Sequence, residues 1–338
     1  FAIGGSLKLS KLRQLGKSIL WINFSQALCA CLFTFGLLAA LGPWLLGAGF
    51  SREFFISGYL PMALIVGAVS AATAPAAVLA IVHEYRARGP LTTTLLGVVA
   101  LDDATAIILF AFASSLGAAA IELDAFSCYR GLVLPSLMIL AAVLWGALGG
   151  FLLTTLAGAV KRKESLLVVI LGGLLLVSGI AGQLRLSPLL ATMMVGFWSA
   201  NRFKDGESLF QAIESIEEPI FALFFTLAGA HFDLQVIKLA GPLAVLIVLA
   251  RFSGKLLGTK FGAGLAGAPQ VVRKYLGYGL LPKAGVTVGL ILVAQPPGNS
   301  QLYEVMLNAV LGSVIINELI APPLVKYALL RAGEGIEE

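Results

Sequence analysis

The amino-acid sequence predicts an all-α polytopic membrane protein, and three observations carry that prediction. Of the 338 residues, 59% are hydrophobic and only 12% are charged, which is about half the charged share of a soluble domain. The mean hydropathy is +0.95, and apolar stretches of about 20 residues, the length that crosses a bilayer as a helix, recur along the chain. The sequence has no series of short alternating strands such as a transmembrane barrel requires.

Ten membrane spans follow from these apolar stretches. In chain order they cover residues 18–41, 62–82, 92–115, 133–158, 166–184, 187–200, 218–231, 236–260, 274–295 and 303–330. The sixth and seventh are short, so we expect them to be tilted, extended by flanking residues, or wrongly assigned. The chain opens with F-A-I-G-G-S-L and no methionine, which predicts that residues 1–17 are the tail of a truncated N-terminal helix followed by a cytoplasmic loop.

The basic residues lie mainly in short loops and therefore report orientation in the membrane. With residues 8–17 placed in the cytoplasm, 16 of the 23 Lys and Arg fall on the cytoplasmic side, 4 on the opposite side and 3 within spans. This asymmetry fits the positive-inside rule for ten spans with both chain ends in the cytoplasm. The net charge of +5 thus indicates orientation rather than nucleic-acid binding.

Two of the spans carry a proline in the middle. Pro75 interrupts A-A-T-A-P-A-A, and Pro282 interrupts G-L-L-P-K-A-G. Proline removes a backbone donor and clashes with the preceding turn, so both helices should be broken there. Each broken helix is the middle member of a three-span group, and the two groups start on opposite sides of the membrane. Such matched groups are typical of inverted-repeat transporters.

The stretch V-V-A-L-D-D-A-T-A places Asp102 and Asp103 about ten residues into the third span, roughly 15 Å deep. A carboxylate at the bilayer midplane costs about 2.5–3.5 kcal/mol even on lenient scales. Adjacent helical residues point about 100° apart, so one aspartate can meet a basic partner while the other faces a cavity. We expect one carboxylate to hold the site and the other to exchange cargo.

Several other polar residues are expected at the same depth. Arg251 and Lys255 lie one turn apart on one helical face, Lys283 follows the second broken segment, and Thr73 marks the first. Lys255 also fits a structural or snorkelling role. Glu318, in I-N-E-L-I-A-P, is expected to be either a polar neighbour of the site or a ligand, with the first interpretation favoured.

Five stretches together resemble one family. T-A-P-A-A-V-L-A-I-V, A-L-D-D-A, A-R-F-S-G-K-L-L-G, G-L-L-P-K-A-G-V-T-V-G-L and I-N-E-L-I-A-P occur in the order found in the monovalent cation/proton antiporter superfamily. The branch most similar to this chain is that of sodium/proton exchangers with paired aspartates. The resemblance extends over essentially the whole chain.

The resemblance implies a core domain of two inverted triplets whose broken helices cross, beside a panel of helices that forms a homodimer. Here the core would comprise 18–115 and 236–330, the panel 116–235, and the cytoplasmic tail 331–338. Asp103 would bind the cation and the proton alternately. Asp102 would pair with a basic residue, for which Arg251 is the best match and Lys255 the rival, and the Thr73 oxygen would help to bind the cation.

The chain departs from this family at the first broken helix. Many members read T-D-P there, whereas this chain has Thr73-Ala74-Pro75, so a carboxylate that would line the site or balance the helix ends is missing. Lysine often accompanies electrogenic exchange in the family and arginine electroneutral exchange. With Arg251 beside Lys255, the stoichiometry and the transported cation are left open.

The sequence therefore predicts an antiporter of the inner (plasma) membrane, prokaryotic in type, that exchanges Na⁺, or Li⁺ or K⁺, for protons without a cofactor or a resident metal. Two transporter alternatives remain: a sodium-coupled symporter for organic anions, and a potassium-efflux system of the same superfamily. An intramembrane aspartyl protease is disfavoured, because its two aspartates must face each other from different helices.

Overall fold

The computed structural model describes residues 1–7, 16–47, 51–121, 133–160, 163–203, 206–230, 237–283, 285–294 and 300–336. This part of the chain contains helices and no strand. The helices, in chain order, are α1 (Ala2–Ser6), α2 (Lys17–Leu45), α3 (Arg52–Val69), α4 (Pro75–Glu84), α5 (Pro90–Ile121), α6 (Leu134–Ala159), α7 (Lys163–Gln183), α8 (Pro188–Arg202), α9 (Gly206–Ala230), α10 (Ile237–Leu265), α11 (Gln270–Gly279), α12 (Gly285–Val293) and α13 (Ser300–Arg331).

The chain forms two compact units. One contains Phe1–Gln14 and Ser127–Leu227, and the other contains Leu15–Phe126 and Ala228–Glu338. In the first unit, α1 packs so closely on α8 that a Cβ on Gly4 would lie 1.8 Å from the Met193 carbonyl oxygen. The second unit contains both proline-broken segments and both aspartates. The division into a core and a dimerisation panel remains a prediction.

The second unit repeats one pattern twice. A long helix, a helix broken in its middle and a second long helix follow one another as α2, α3–α4 and α5, and again as α10, α11–α12 and α13. Pro75 stands at the first position of α4, where its missing N–H is harmless. The fold is that of an inverted-repeat transporter with two broken helices.

The two breaks cross each other directly. The backbone N–H of Ala74 donates to the carbonyl of Pro282 at 2.9 Å, and the Thr73 hydroxyl lies 3.2 Å from the Leu280 carbonyl. The breaks leave helix ends with unpaired backbone groups inside the protein, and such groups need partners there. The crossing supplies some of them from the opposite broken helix.

Seven described helices are long and apolar enough to cross a membrane. Each of the ten predicted spans overlaps a helix or a broken helix, but two of these helices begin ten or more residues earlier than predicted. The second starts at Arg52 instead of residue 62, because Ser51 Oγ accepts the Phe54 N–H and caps a helix that runs on through a π-helical turn. The seventh starts at Gly206 instead of residue 218, so flanking residues extend it.

The first helices of the two triplets pack face to face. Gly254, Gly258 and Gly262 of α10 lie against the backbone of α2, and a Cβ on Gly258 would come within 2.8 Å of both Gln26 Cα and the Ser25 carbonyl oxygen. Small residues four apart allow helix backbones to approach closely. The contact lets the α10 side chains reach across into the first triplet.

The end of the described chain caps the helix that carries the aspartates. Glu334 Oε1 and Oε2 accept the backbone N–H groups of Leu91 and Thr92, both at 2.7 Å, and Oε2 also accepts the Thr92 hydroxyl at 2.8 Å. The Arg88 N–H donates to the Glu334 carbonyl at 2.9 Å. The first-turn N–H groups of a helix have no intrahelical partner, so the carboxylate satisfies two of them in α5.

Candidate functional site

Asp102 is fully buried and bonded through both carboxylate oxygens. Lys255 Nζ lies 2.8 Å from Oδ2, and the Thr73 hydroxyl donates to the same oxygen. Gln26 Nε2 donates to Oδ1 at 2.5 Å. Lys255 also donates to Thr73 Oγ1 at 2.6 Å. A buried charge is stable only when it is paired and hydrogen bonded, and Asp102 meets both conditions.

The structure corrects the expectation that Arg251 is the better partner for Asp102. Its guanidinium donates to the carbonyls of Ser70, Ala72 and Leu281 at 2.9, 2.8 and 2.6 Å. Longer contacts reach the Leu280 and Pro282 carbonyls at 3.5 and 3.4 Å. These carbonyls lie just after the C-terminal ends of α3 and α11, which carry the negative ends of the helix dipoles. Arg251 therefore neutralises both broken ends, while Lys255 forms the ion pair.

Lys283 was expected as another partner for the aspartates, and the structure corrects this too. Its ammonium is buried and donates to Ser313 Oγ at 3.2 Å. Within the described part of the chain it forms no ion pair, so neither aspartate neutralises it by contact. Lys283 belongs to the side of the crossing that faces α13.

Asp103 lies in a different environment from its neighbour. It is 6% exposed, and its Oδ1 is buried without a hydrogen-bond partner among the described residues. An ionised carboxylate accepts several hydrogen bonds or a cation. Asp102 is thus saturated by protein groups, whereas Asp103 retains an oxygen that can take a proton or a small hard cation.

Thr73 lies at the centre of the arrangement, as its position before Pro75 suggested. Its hydroxyl contacts Asp102, Lys255 and the Leu280 carbonyl. It is therefore engaged in holding Asp102. The break carbonyls are similarly engaged, because Arg251 takes several of them.

Sequence reasoning missed Gln26. It donates to Asp102 from α2, and it also contacts Asn23 Oδ1 at 3.3 Å, whose amide in turn donates to Thr105 Oγ1 at 2.7 Å. The signal was W-I-N-F-S-Q-A, where two amides three residues apart share a face of an otherwise apolar span. Amides inside a membrane helix usually find partners across helices.

The fold and the buried charges define the class of protein. Many membrane transporters are built from two inverted triplets of helices, and their broken helices cross beside buried polar groups such as these carboxylates. The family follows from comparison with known proteins. The family described as "Sodium/hydrogen exchanger, transmembrane" matches residues 1–327. The chain belongs to this sodium/hydrogen exchanger family and is a multi-pass membrane protein.

One known protein is similar to a segment of the chain in sequence, and a second is similar to nearly the whole chain in structure. The Na(+)/H(+) antiporter ApNhaP of Aphanothece halophytica is 36% identical over 95 residues, which are 28% of this chain and 18% of that protein. The matched segment thus spans less than a fifth of that relative. The sodium proton antiporter MjNhaP1 from Methanocaldococcus jannaschii, in a structure at pH 8, aligns with a TM-score of 0.75 and 15% identity over 98% of this chain and 82% of its own. This likeness shows the fold.

Proposed function

We propose that this protein exchanges a monovalent cation, Na⁺ in the first place, for protons by alternating access. The observation that carries the proposal is the contrast between the two aspartates. Asp102 is held by Lys255, Thr73 and Gln26, whereas Asp103 Oδ1 is buried without a partner among the described residues. Asp103 is accordingly the shared proton and cation site, and Asp102 holds it in place.

Exchange follows from competition at Asp103. A proton and a sodium ion cannot occupy the same carboxylate oxygen, so loading one releases the other. If the empty site seldom crosses the membrane, each passage in one direction carries Na⁺ and each return carries a proton. A binding-competent state on alternate sides is what inverted-repeat transporters provide around a fixed central site.

The cation needs oxygen ligands besides Asp103. Thr73 was expected to provide one, but its hydroxyl already bonds to Asp102 and Lys255. We therefore assign Thr73 to the support of Asp102. The remaining ligands would be water and those backbone carbonyls of the breaks that Arg251 does not take. The transported ion, the stoichiometry, the homodimer, the inner-membrane location and the cytoplasmic C-terminus remain predictions.

Proteoliposomes with an internal pH dye test the proposal. External Na⁺, Li⁺ or K⁺ should drive proton efflux in the wild type, and Asp103→Asn should abolish it at every cation concentration. Glu304→Gln, a neutralised and exposed carboxylate on α13, is the matched control and should keep wild-type rates. Full activity in Asp103→Asn would refute the assignment. Sodium-driven uptake of an organic anion without proton flux would indicate the symporter instead.

A further inference from the structure

A polar network between α2 and α5 lies behind Asp102. Gln26 Nε2 donates to Asp102 Oδ1 at 2.5 Å, and it also lies 3.1 Å from the Asn23 carbonyl oxygen and 3.3 Å from Asn23 Oδ1. Asn23 Nδ2 in turn donates to Thr105 Oγ1 at 2.7 Å. Asn23 and Gln26 are buried in an apolar span, where polar groups need partners inside the protein. The network thus links Asp102 to a hydroxyl about one turn further along the same helix.

The direction of the hydrogen bonds in this network follows from Thr105. Its hydroxyl has one proton, which it donates to the Leu101 carbonyl at 3.1 Å, so toward Asn23 it can only accept. Asn23 must then present its NH₂ group to Thr105 and its Oδ1 to Gln26. Gln26 consequently meets only acceptors, from Asn23 and Asp102, and presents Nε2 to them. The bonds around the two amides therefore fix the orientation of both.

This orientation leaves one polar atom of Gln26 without a partner. The residue is fully buried, and its Oε1 has no hydrogen-bond partner among the described residues. A buried acceptor without a partner costs free energy, so the amide is held in this orientation by what its other end bonds to. Both N–H groups of Nε2 are required, by Asp102 on one side and by Asn23 on the other. The unpaired Oε1 indicates that Gln26 is held as a donor.

The orientation of Gln26 affects the charge that a cation meets at Asp103. The NH₂ end of an amide carries partial positive charge, and the carbonyl oxygen carries partial negative charge. With Nε2 toward Asp102, the amide adds to the compensation that Lys255 provides. If the amide were reversed, it would place negative charge beside Asp102, whose Cα is about 3.8 Å from that of Asp103. In a weakly screened interior, such a change would strengthen the attraction for a cation.

We propose that Asn23 and Thr105 are positioning residues of the transport site and act through Gln26. They keep Gln26 a donor to Asp102, so that Asp102 stays compensated. The transported cation then binds at Asp103 with an affinity low enough for release. Thr105 bonds to Asn23 and to its own helix, and its influence on Asp102 passes through the two amides. The inference rests on the proposed function, because it concerns the cation affinity of that site.

Thr105→Val tests this role, because valine has nearly the shape of threonine without the hydroxyl. Binding of ²²Na⁺ to the purified protein at alkaline pH, where proton competition is weakest, should become roughly three- to tenfold tighter, part of the effect of one hydrogen bond to a charged group. The maximal exchange rate in proteoliposomes should fall by a similar factor, since the cation leaves more slowly. Thr105→Ser keeps the hydroxyl and should restore both values. Thr93→Val removes a hydroxyl that makes the same bond to the fourth preceding carbonyl of α5, and it should leave both values unchanged.

A double-substitution cycle tests whether Thr105 acts through Gln26. Asn23→Leu and Gln26→Leu should each tighten ²²Na⁺ binding as Thr105→Val does. Adding Thr105→Val to Gln26→Leu should change the affinity by less than about twofold, because the intermediary is gone. Effects that multiply in the double variant, or a wild-type affinity in Thr105→Val, would overturn the inference. A wild type that binds ²²Na⁺ without exchanging it for protons would overturn the proposed function instead, and the binding cycle would still decide on Thr105.

Discussion

Lys255 Nζ lies 2.8 Å from Asp102 Oδ2, and both side chains are fully buried. The pair joins α10 of the second triplet to α5 of the first, so the two halves of the fold meet in one ionic contact. Substituting one partner of such a pair leaves an uncompensated charge in the interior, which destabilises the protein. Replacing both partners by apolar residues leaves no unpaired charge.

Lys255→Met should therefore lower the free energy of unfolding by about 3–5 kcal/mol, read as a lower melting temperature of the purified protein. Lys255→Met combined with Asp102→Leu should recover most of the loss. Lys260→Met, an exposed lysine on the same helix, is the control and should melt like the wild type. A Lys255→Met melting curve equal to that of the wild type would contradict the pairing.

Arg251→Lys should destabilise the two breaks although it keeps the charge. A lysine presents its donors from one point and cannot span the carbonyls of Ser70, Ala72 and Leu281 that the planar guanidinium reaches. Each buried acceptor left unpaired costs about 1–3 kcal/mol. Hydrogen exchange of the backbone amides in 70–74 and 280–283 should become faster. Arg273→Lys, an exposed arginine with one carbonyl contact, should leave those rates unchanged.

Gly258→Ala should separate α10 from α2. The new Cβ would lie 2.6 Å from Cys29 Cβ and 2.8 Å from two backbone atoms of α2, and backbone cannot move aside as a flexible side chain can. We expect the free energy of unfolding to fall by about 1–3 kcal/mol because of overpacking. Cation/proton exchange should also become slower, since Lys255 would be displaced from Asp102. Gly264→Ala has open space around its Cβ and should be neutral or stabilising by up to about 1 kcal/mol. Equal melting temperatures for the two variants would refute this packing.

Glu334→Ala should release the N-terminus of α5. The loss of a cap on the backbone amides of Leu91 and Thr92 should cost about 0.5–2 kcal/mol. The segment that carries Glu334 also forms backbone hydrogen bonds with Arg88 and Tyr85, and losing the carboxylate should weaken this whole contact. Proteolysis and hydrogen exchange at residues 88–94 should therefore increase. Glu84→Ala removes an exposed carboxylate near by and serves as the control. Unchanged protection of 88–94 would mean that the cap has no effect on the helix.

The parts of the structure that sequence predicted best depend on local chemistry. Pro75 and Pro282 break their helices wherever they stand in the fold, so the breaks could be located from composition alone. The burial of Asp102 and Asp103 followed from their depth in an apolar span. The helix at Arg52 began earlier than predicted, because its polar first turn hides the start that the Ser51 cap provides.

The pairing within the site could not be predicted in this way. Arg251 and Lys255 lie one turn apart on the same face, and nothing in the chain distinguishes which of them reaches Asp102. The crossing decides it, because the carbonyls of the two breaks converge on Arg251 and leave Lys255 to the carboxylate. Gln26 reaches Asp102 from α2, and which polar side chain of α2 faces α5 depends on how these helices pack in the fold.

The hydrogen bond from the Ala74 N–H to the Pro282 carbonyl has a mechanical consequence. It ties the two unwound segments together, and Arg251 grips both from the same side. Neither interrupted helix can slide without dragging the other. An ion bound at Asp103 would therefore be translocated by both interrupted helices moving together as one rigid body, and would not pass from one helix to the other.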